Sequence, residues 1–180
     1  MNLLTKRIPT ILGLLVLISC IFGLYYYFQY IGKNIEAGIS PEKVRITNIA
    51  DNKFNISWTT EIATSGLVEY GKVGEKLAQK QKDDRDTTST KGEYTTHYVT
   101  VEGLQPSTQY AFRILSGEES ARFDNSGSPY TVATGPVIGE TPASQNFYGN
   151  VEQANKQPTN NALVYVTLPG GATTSTLVTE

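Results

Sequence analysis

The segment Lys53–Thr59, KFNISWT, decides the fold. Alternate side chains of a β-strand point to opposite faces of its sheet. Three apolar side chains therefore share one face and three polar ones the other: Phe54, Ile56 and Trp58 against Asn55, Ser57 and Thr59. This alternation is typical of a strand with one face in a core and the other in water.

Short segments with the same alternation recur on both sides, separated by turn residues. They predict strands at Val44–Ile49, Leu67–Gly71, His97–Val101, Gln109–Leu115 and Tyr130–Thr134. The side chains expected to point inward are Val68, Tyr70, Val99, Val101, Tyr110, Phe112 and Ile114. The stretch Lys72–Glu93 is polar and predicts a long connection. Strands of this length and spacing indicate an all-β sandwich.

These residues carry a family resemblance. Trp58 in the second strand, followed by Leu104-Gln105-Pro106-Ser107-Thr108-Gln109-Tyr110, resembles a fibronectin type III domain. The segments ISWTT (56–60), ATSG (63–66), VEYG (68–71) and THYVTV (96–101) are similar to the variant at the N-terminus of purple acid phosphatases. The resemblance covers residues 40–135. It implies that Trp58 fills the core and that the Tyr110 hydroxyl bonds back to the backbone.

A charge-free run precedes this domain. No charged residue lies between Arg7 and Lys33, and the run Ile8–Ile31 is long enough to cross a membrane once as a helix. Lys6 and Arg7 place residues 1–7 in the cytoplasm by the positive-inside rule, with residues 32–39 as a linker to extracytoplasmic domains. Four tyrosines suit the outer membrane–water interface: Tyr25, Tyr26, Tyr27 and Tyr30.

Two alternatives to an anchor stay open. A cleaved signal peptide would have a shorter apolar core and a small-residue cleavage site. A lipoprotein signal is the other, because Leu17-Ile18-Ser19-Cys20 resembles a lipobox with Cys20 as the lipidated residue. A lipidated cysteine is usually followed by a polar tether, whereas Ile21–Leu24 stays apolar.

The C-terminal residues predict a second, partial module. Residues 136–146 form an expected linker, and residues 147–180 contain strand-like segments at Phe147–Val151 and Ala162–Leu168 around a polar turn with Pro158. They resemble the start of a carboxypeptidase-regulatory-like or Ig-like module. Because a lone hairpin is marginal in water, this part either docks on the sandwich or belongs to a longer chain.

Composition narrows the function classes. The formal charge is −2, and no basic stripe with interleaved aromatic residues indicates nucleic acid as a partner. Cys20 is the only cysteine, so the chain cannot form an internal disulfide. With one histidine and one cysteine, it cannot build a zinc site from His and Cys alone.

The sequence contains four candidate sites. His97, the only histidine, alternates with Val99 and Val101 and is expected to be structural. Asp83-Asp84-Arg85-Asp86 is expected to be a solvated charged loop rather than a calcium site, and Asp124–Pro129 a turn. Asn55-Ile56-Ser57 matches a glycosylation sequon, but Asn55 is expected to be an ordinary exposed strand residue. No catalytic, cofactor-binding or metal-binding residue is predicted.

The sequence favours a non-catalytic, membrane-anchored surface protein whose β-sandwich binds, adheres or acts as a spacer, with an extracellular protein or glycan as partner. One alternative is the N-terminal, non-catalytic portion of a larger surface enzyme, such as a metallophosphatase or another hydrolase. In the purple acid phosphatases that this chain resembles, the metal ions lie in a separate catalytic domain. The resemblance therefore implies the fold of the β-sandwich and no catalytic activity. The other alternative is a structural subunit of a surface assembly.

Overall fold

The computed structural model describes residues 10–87, 89–117, 121–140, 148–157, 159–167, 169, 171 and 173–179. The chain divides after Gly38 into two compact units, an N-terminal helix and a β-unit that begins at Ile39.

The helix α1 spans Thr10–Gly38. Its segment Leu12–Tyr30 has a mean hydropathy of 1.7 and is long and apolar enough to cross a membrane. Most of the residues predicted as a linker, 32–39, are helical in the structure, because the helix continues to Gly38. The segment Asn34–Ala37 contains no helix breaker, and the helix stops at a glycine three residues before Pro41, where the chain must become extended.

Two antiparallel sheets form the sandwich of the β-unit. The first sheet has the order β1-β2-β5, with β1 at Glu42–Thr47, β2 at Lys53–Thr64 and β5 at Tyr94–Glu102. The second has the order β4-β3-β6-β7, with β3 at Gly66–Lys72, β4 at Gln79–Lys82, β6 at Gln109–Ser116 and β7 at Ala121–Phe123. The strand β8, at Tyr130–Ala133, pairs with the other half of β6.

The core lies between the two sheets and confirms the predicted inward faces. Its buried apolar residues are Phe54, Ile56, Trp58, Val68, Tyr70, Val99, Val101, Leu104, Tyr110, Phe112, Ile114 and Val132. Trp58 is fully buried, as the resemblance implies. The corner before β6 is also confirmed, since the Gln105 N–H donates to the Tyr110 hydroxyl at 2.9 Å.

Three strand predictions differ from the structure. β4, with the sequence QKQK, lies inside the stretch predicted as a connection, because an edge strand facing water needs no apolar alternation. β7 was likewise not predicted. β1 ends at Thr47, because Asn48 adopts a left-handed backbone angle of φ 52°, and Ile49 lies outside the strand with 43% exposure.

A two-stranded ribbon follows the sandwich. It consists of β9, Leu163–Thr167, paired antiparallel with β10, Thr173–Leu177. The predicted strand Ala162–Leu168 is therefore confirmed for Leu163–Thr167, which form β9, while Leu168 lies outside the described residues. The prediction of a strand at Phe147–Val151 is wrong for residues 148–151, where Tyr148 is 93% exposed; Phe147 lies outside the described residues, as does Pro158.

Candidate functional site

Asp83 lies at the centre of a buried polar cluster beside β5. Its side chain has no exposed surface, although it carries a charge. Oδ1 accepts hydrogen bonds from the backbone N–H of Arg85 at 3.2 Å and from Arg85 Nε at 2.8 Å. Oδ2 accepts from a second guanidinium nitrogen at 3.0 Å and from the backbone N–H of Tyr98 at 3.0 Å. A buried carboxylate needs such partners, and all four come from two residues.

Arg85 is held on four sides. Besides its two-pronged contact with Asp83, its guanidinium donates to the backbone oxygen of Thr96 and to Asn161 Oδ1, the latter at 2.7 Å. Its Cζ lies 3.5 Å from the centroid of the Tyr94 ring, a cation–π geometry. The arginine therefore connects the polar segment after β4, strand β5 and the residues just before β9.

His97 lies on the core side of the same cluster. Its ring stacks on Trp58, and its Nδ1 lies 3.7 Å from Asp83 Oδ2, beyond hydrogen-bonding distance. Neither ring nitrogen of His97 has a hydrogen-bond partner among the described residues. A Cβ added at Gly66 would lie 2.5 Å from His97 Nδ1 and 2.7 Å from Trp58 Cζ2, so only glycine fits at this point of β3.

The surroundings of Asp83 change its acidity. Burial alone would raise the pKa of the carboxyl, but the hydrogen bonds and charge of the Arg85 guanidinium and the Tyr98 N–H outweigh burial and lower the pKa to about 2. The carboxylate is therefore ionised at any physiological pH and forms a buried ion pair with Arg85. Because His97 is fully buried, the imidazole has no contact with solvent through which it would act on a substrate.

The expectation of a solvated loop at Asp83–Asp86 is wrong for Asp83, which is buried, whereas Asp84 is exposed as expected. Asp84 Oδ1 accepts the backbone N–H of Thr100 at 2.7 Å, and its second oxygen accepts the Thr100 hydroxyl. Asp86 Oδ1 accepts the Gly92 N–H at 2.9 Å. Asp83 and Asp84 accept from backbone N–H groups along the edge of β5 that does not pair with β2, where a neighbouring strand would otherwise lie; the partner of Asp86, Gly92, precedes the strand. Among the described residues, no group of three or more His, Cys, Asp or Glu side chains is placed to hold a metal ion.

The other sequence candidates lie elsewhere. Asn55 is only 4% exposed, contrary to the expectation of an exposed residue, and its Nδ2 donates to Thr100 Oγ1 at 2.5 Å. The Asp124–Pro129 segment forms a tight turn between β7 and β8, as predicted. The Gly127 N–H donates to Asp124 Oδ1 at 2.7 Å, and Ser126 and Gly127 both have positive φ.

Two open clefts lie on the surface of the β-unit. One, of about 660 Å³, is lined by Lys80–Lys82 of β4, by Asp84 and Asp86, and by Glu102. The other, of about 640 Å³, lies over the second sheet. Its lining includes Glu69, Val73, Leu77, Ala111, Arg113, Arg122 and Pro129. The first cleft is mainly polar, whereas the second exposes more apolar than polar surface, and both carry charges of both signs. Their described lining residues include neither histidine nor cysteine.

Sequence reasoning missed Arg85 and Gly66 as members of the cluster. The spacing of Asp83 and Arg85 weakly indicates an ion pair, because a carboxylate and a guanidinium two residues apart in a turn can come into contact. Gly66, at the start of a predicted strand, gave a clearer one, since glycine in a strand often marks a close approach of other atoms.

Two antiparallel sheets, a core tryptophan on β2 and a tyrosine corner before β6 define a fibronectin type III-like β-sandwich. The sequence model of the family described as "Purple acid Phosphatase, N-terminal domain" matches residues 41–134, just over half of the chain. The chain belongs to this family. β-Sandwiches of this class are commonly non-catalytic binding or spacer modules.

Solved structures of similar shape share low sequence identity with this chain. A computationally redesigned β-sandwich protein is 20% identical, with a TM-score of 0.39, and the match covers 55% of this chain and 97% of that one. The fn3 domain of human contactin 1 is 17% identical, with a TM-score of 0.39, covering 59% and 83%. The FN5 domain of Drosophila Lar is 19% identical, with a TM-score of 0.38, covering 54% and 97%. No curated protein sequence matches the chain.

Proposed function

We propose that this protein is a membrane-anchored, non-catalytic surface module. The helix crosses the membrane once, and the β-unit lies on the extracytoplasmic side, where it binds an extracellular protein or glycan or holds further parts of the surface at a distance. The tyrosines that end the apolar segment and the basic residues Lys6 and Arg7 before it support this orientation.

One observation carries the proposal: the segment Leu12–Tyr30 of the helix is apolar on every side. All large apolar side chains from Leu12 to Tyr30 are between 40% and 69% exposed. A helix on the surface of a water-soluble domain has one apolar stripe and a polar opposite face. Exposed apolar surface costs roughly 25 cal/mol per Å² in water, so a helix of this kind is stable in lipid and unfavourable in solvent.

The same helix argues against a lipid anchor at Cys20. Cys20 lies in the middle of α1, and the chain continues as apolar helix for ten further residues, to Tyr30. A lipid attached to Cys20 would become the new end of the protein and would remove the first half of the span. The intact mass of the mature protein distinguishes the anchor from a lipoprotein and from a cleaved signal peptide.

Membrane extraction tests the anchor. The full chain is expected to stay in the pellet after extraction with alkaline carbonate. Replacement of Leu15 and Leu17 by lysine places two charges near the middle of the span, where each costs about 2.5–3.5 kcal/mol, and should release the protein. Ala37→Lys, a matched charge at the helix end outside the span, should leave it in the pellet. Release of the unmodified chain would overturn the proposal.

The family match favours a second candidate, in which the sandwich precedes a catalytic domain of a larger surface enzyme. An antibody against residues 40–135 separates the two. A native band near the 19.7 kDa of this chain supports a small anchored module. A much larger band, together with metal-dependent phosphatase activity in the immunoprecipitate, supports the enzyme.

A further inference from the structure

The outer face of the first sheet is made of polar side chains. Cross-strand neighbours form two rows on this face: Thr47, Asn55 and Thr100 in one, and Arg45, Ser57 and Tyr98 in the other. A sheet face of this composition is normally wet. Here Thr47 is 2%, Asn55 4% and Ser57 0% exposed. The polar side chains of this outer face are therefore buried rather than in contact with water.

The ribbon β9–β10 covers this face. The Tyr165 hydroxyl of β9 hydrogen-bonds to Ser57 Oγ at 2.8 Å. The guanidinium carbon of Arg45 lies 4.4 Å from the centroid of the Tyr165 ring. One tyrosine thus contacts the middle of the face through both its ring and its hydroxyl.

The cross-strand partner of Tyr165, Ser175 of β10, makes the second set of contacts. Its Oγ lies 2.5 Å from Thr47 Oγ1, and its backbone oxygen accepts from the Tyr98 hydroxyl at 2.8 Å and from Asn48 Nδ2 at 2.8 Å. Its backbone N–H donates to Asn48 Oδ1 at 2.9 Å. The docking therefore rests on hydrogen bonds in a defined register.

Contacts of this kind are specific but weak. A net hydrogen bond contributes about 0.5–1.5 kcal/mol, because water satisfies the same groups when they separate. The apolar core between the sheets has no such alternative, since exposing Phe54, Ile56 or Trp58 leaves apolar surface in water. Separation of the ribbon from the face should therefore need less free energy than separation of the sheets.

We propose that the ribbon formed by β9 and β10 is a detachable strap that covers the polar face of the β1-β2-β5 sheet and opens while the sandwich stays folded. The strap is the resident occupant of this face. Its opening uncovers an interaction surface of hydroxyl, amide and guanidinium groups, including the Thr47 and Ser57 hydroxyls. The inference does not depend on the membrane anchor or on the proposed function.

Thiol labelling of two buried positions tests the strap. Ser57→Cys lies under it and Val99→Cys lies in the core, and both native residues are 0% exposed. In detergent-solubilised full chain with Cys20→Ser, a maleimide should modify Cys at position 57 more than tenfold faster than at position 99. Tyr165→Ala should accelerate labelling at position 57 further, whereas Thr176→Ala, an exposed residue of the same ribbon, should not.

Hydrogen exchange of the unsubstituted chain gives an independent measure that no folding defect can affect. Amides of β9 and β10 should exchange at least tenfold faster than those of β6, at a rate insensitive to low concentrations of urea. Equal labelling rates at positions 57 and 99, or equal protection of the ribbon and β6, would mean that strap and sandwich open only together and would overturn the proposal.

Discussion

The imidazole ring of His97 lies parallel to the indole of Trp58, with the ring centroids 4.7 Å apart and an angle of 9° between the planes. This stack joins the apolar core to the buried Asp83–Arg85 pair. The only histidine of the chain is thus enclosed by aromatic neighbours on its own sheet, by Asp83 in the segment after β4 and by Gly66 of the other sheet. The arrangement explains His97 as part of the packing at one end of the sandwich.

The Asp83 carboxylate should make stability depend on pH. Its pKa is about 2 in the folded chain and 3.8 ordinarily, so its ionised form is favoured by folding. The stabilisation is complete above about pH 5 and is lost as the pH falls through 4 towards 2; a shift of nearly two pKa units corresponds to about 2 kcal/mol. Urea unfolding, followed by the fluorescence of Trp58, the only tryptophan, measures the free energy of unfolding at each pH between 7 and 2.5.

Asp83→Asn should remove that part of the pH dependence. At pH 7 it should also lower the free energy of unfolding by about 3–5 kcal/mol, because the Arg85 charge stays buried without its partner. Glu75→Gln, at an exposed turn residue, is the matched control and should change neither quantity. Parallel pH profiles for Asp83→Asn and the unsubstituted chain would show that the pair does not set the acid sensitivity.

Gly66→Ala should destabilise the sandwich by about 1–3 kcal/mol, because the new methyl group overlaps His97 and Trp58. Gly149→Ala adds the same methyl group where nothing lies within 4 Å and should be close to neutral. Thermal unfolding by circular dichroism compares the two variants. Equal midpoints would mean that the stack shifts freely to make room.

Tyr110→Phe should lower the free energy of unfolding by about 1–2 kcal/mol, because the Gln105 N–H loses its acceptor. Tyr70→Phe removes a hydroxyl from another buried tyrosine, one that makes no hydrogen bond to a described residue, and should cost less than half as much. Urea titration of both variants gives the comparison. A larger loss for Tyr70→Phe would contradict the role assigned to the corner.

Asp84→Ala should promote association between copies of the chain. The substitution frees the Thr100 N–H on the open edge of β5, and an unpaired strand edge is a template for another strand. Sedimentation velocity in detergent should show a dimer fraction that grows with protein concentration. Glu102→Ala removes an exposed carboxylate from the same strand and should leave the chain as monomeric as the unsubstituted protein. Absence of a dimer with Asp84→Ala would mean that other groups protect the edge of β5.

The sandwich was predictable because its central strands alternate strictly. In β2, the apolar residues of KFNISWT point into the core as expected, and Trp58 and Tyr110 occupy the positions that the resemblance implies. The edges were less predictable. β4 carries only Gln and Lys, because a strand at the rim faces water on its sides and needs no apolar face.

The buried polar groups could not be predicted from local patterns. Asn55 and Ser57 are on the outer face that the alternation indicates, but both are buried, and the Ser57 hydroxyl bonds to a ribbon more than 100 residues away in the sequence. The local sequence predicts that Asp83 is an exposed loop residue, and its burial is favourable only because Arg85 and Tyr98 donate hydrogen bonds to its carboxylate. Long-range contacts of this kind leave no periodic signal.

The most direct test of the proposed function is to measure on which side of the membrane the β-unit lies. In full chain carrying Cys20→Ser, a membrane-impermeant maleimide should label Glu75→Cys on intact cells, and should label Asn2→Cys only after permeabilisation. This result is expected for one span with the N-terminus inside. Labelling of Asn2→Cys but not Glu75→Cys on intact cells, or recovery of the β-unit in the medium without its helix, would contradict the account.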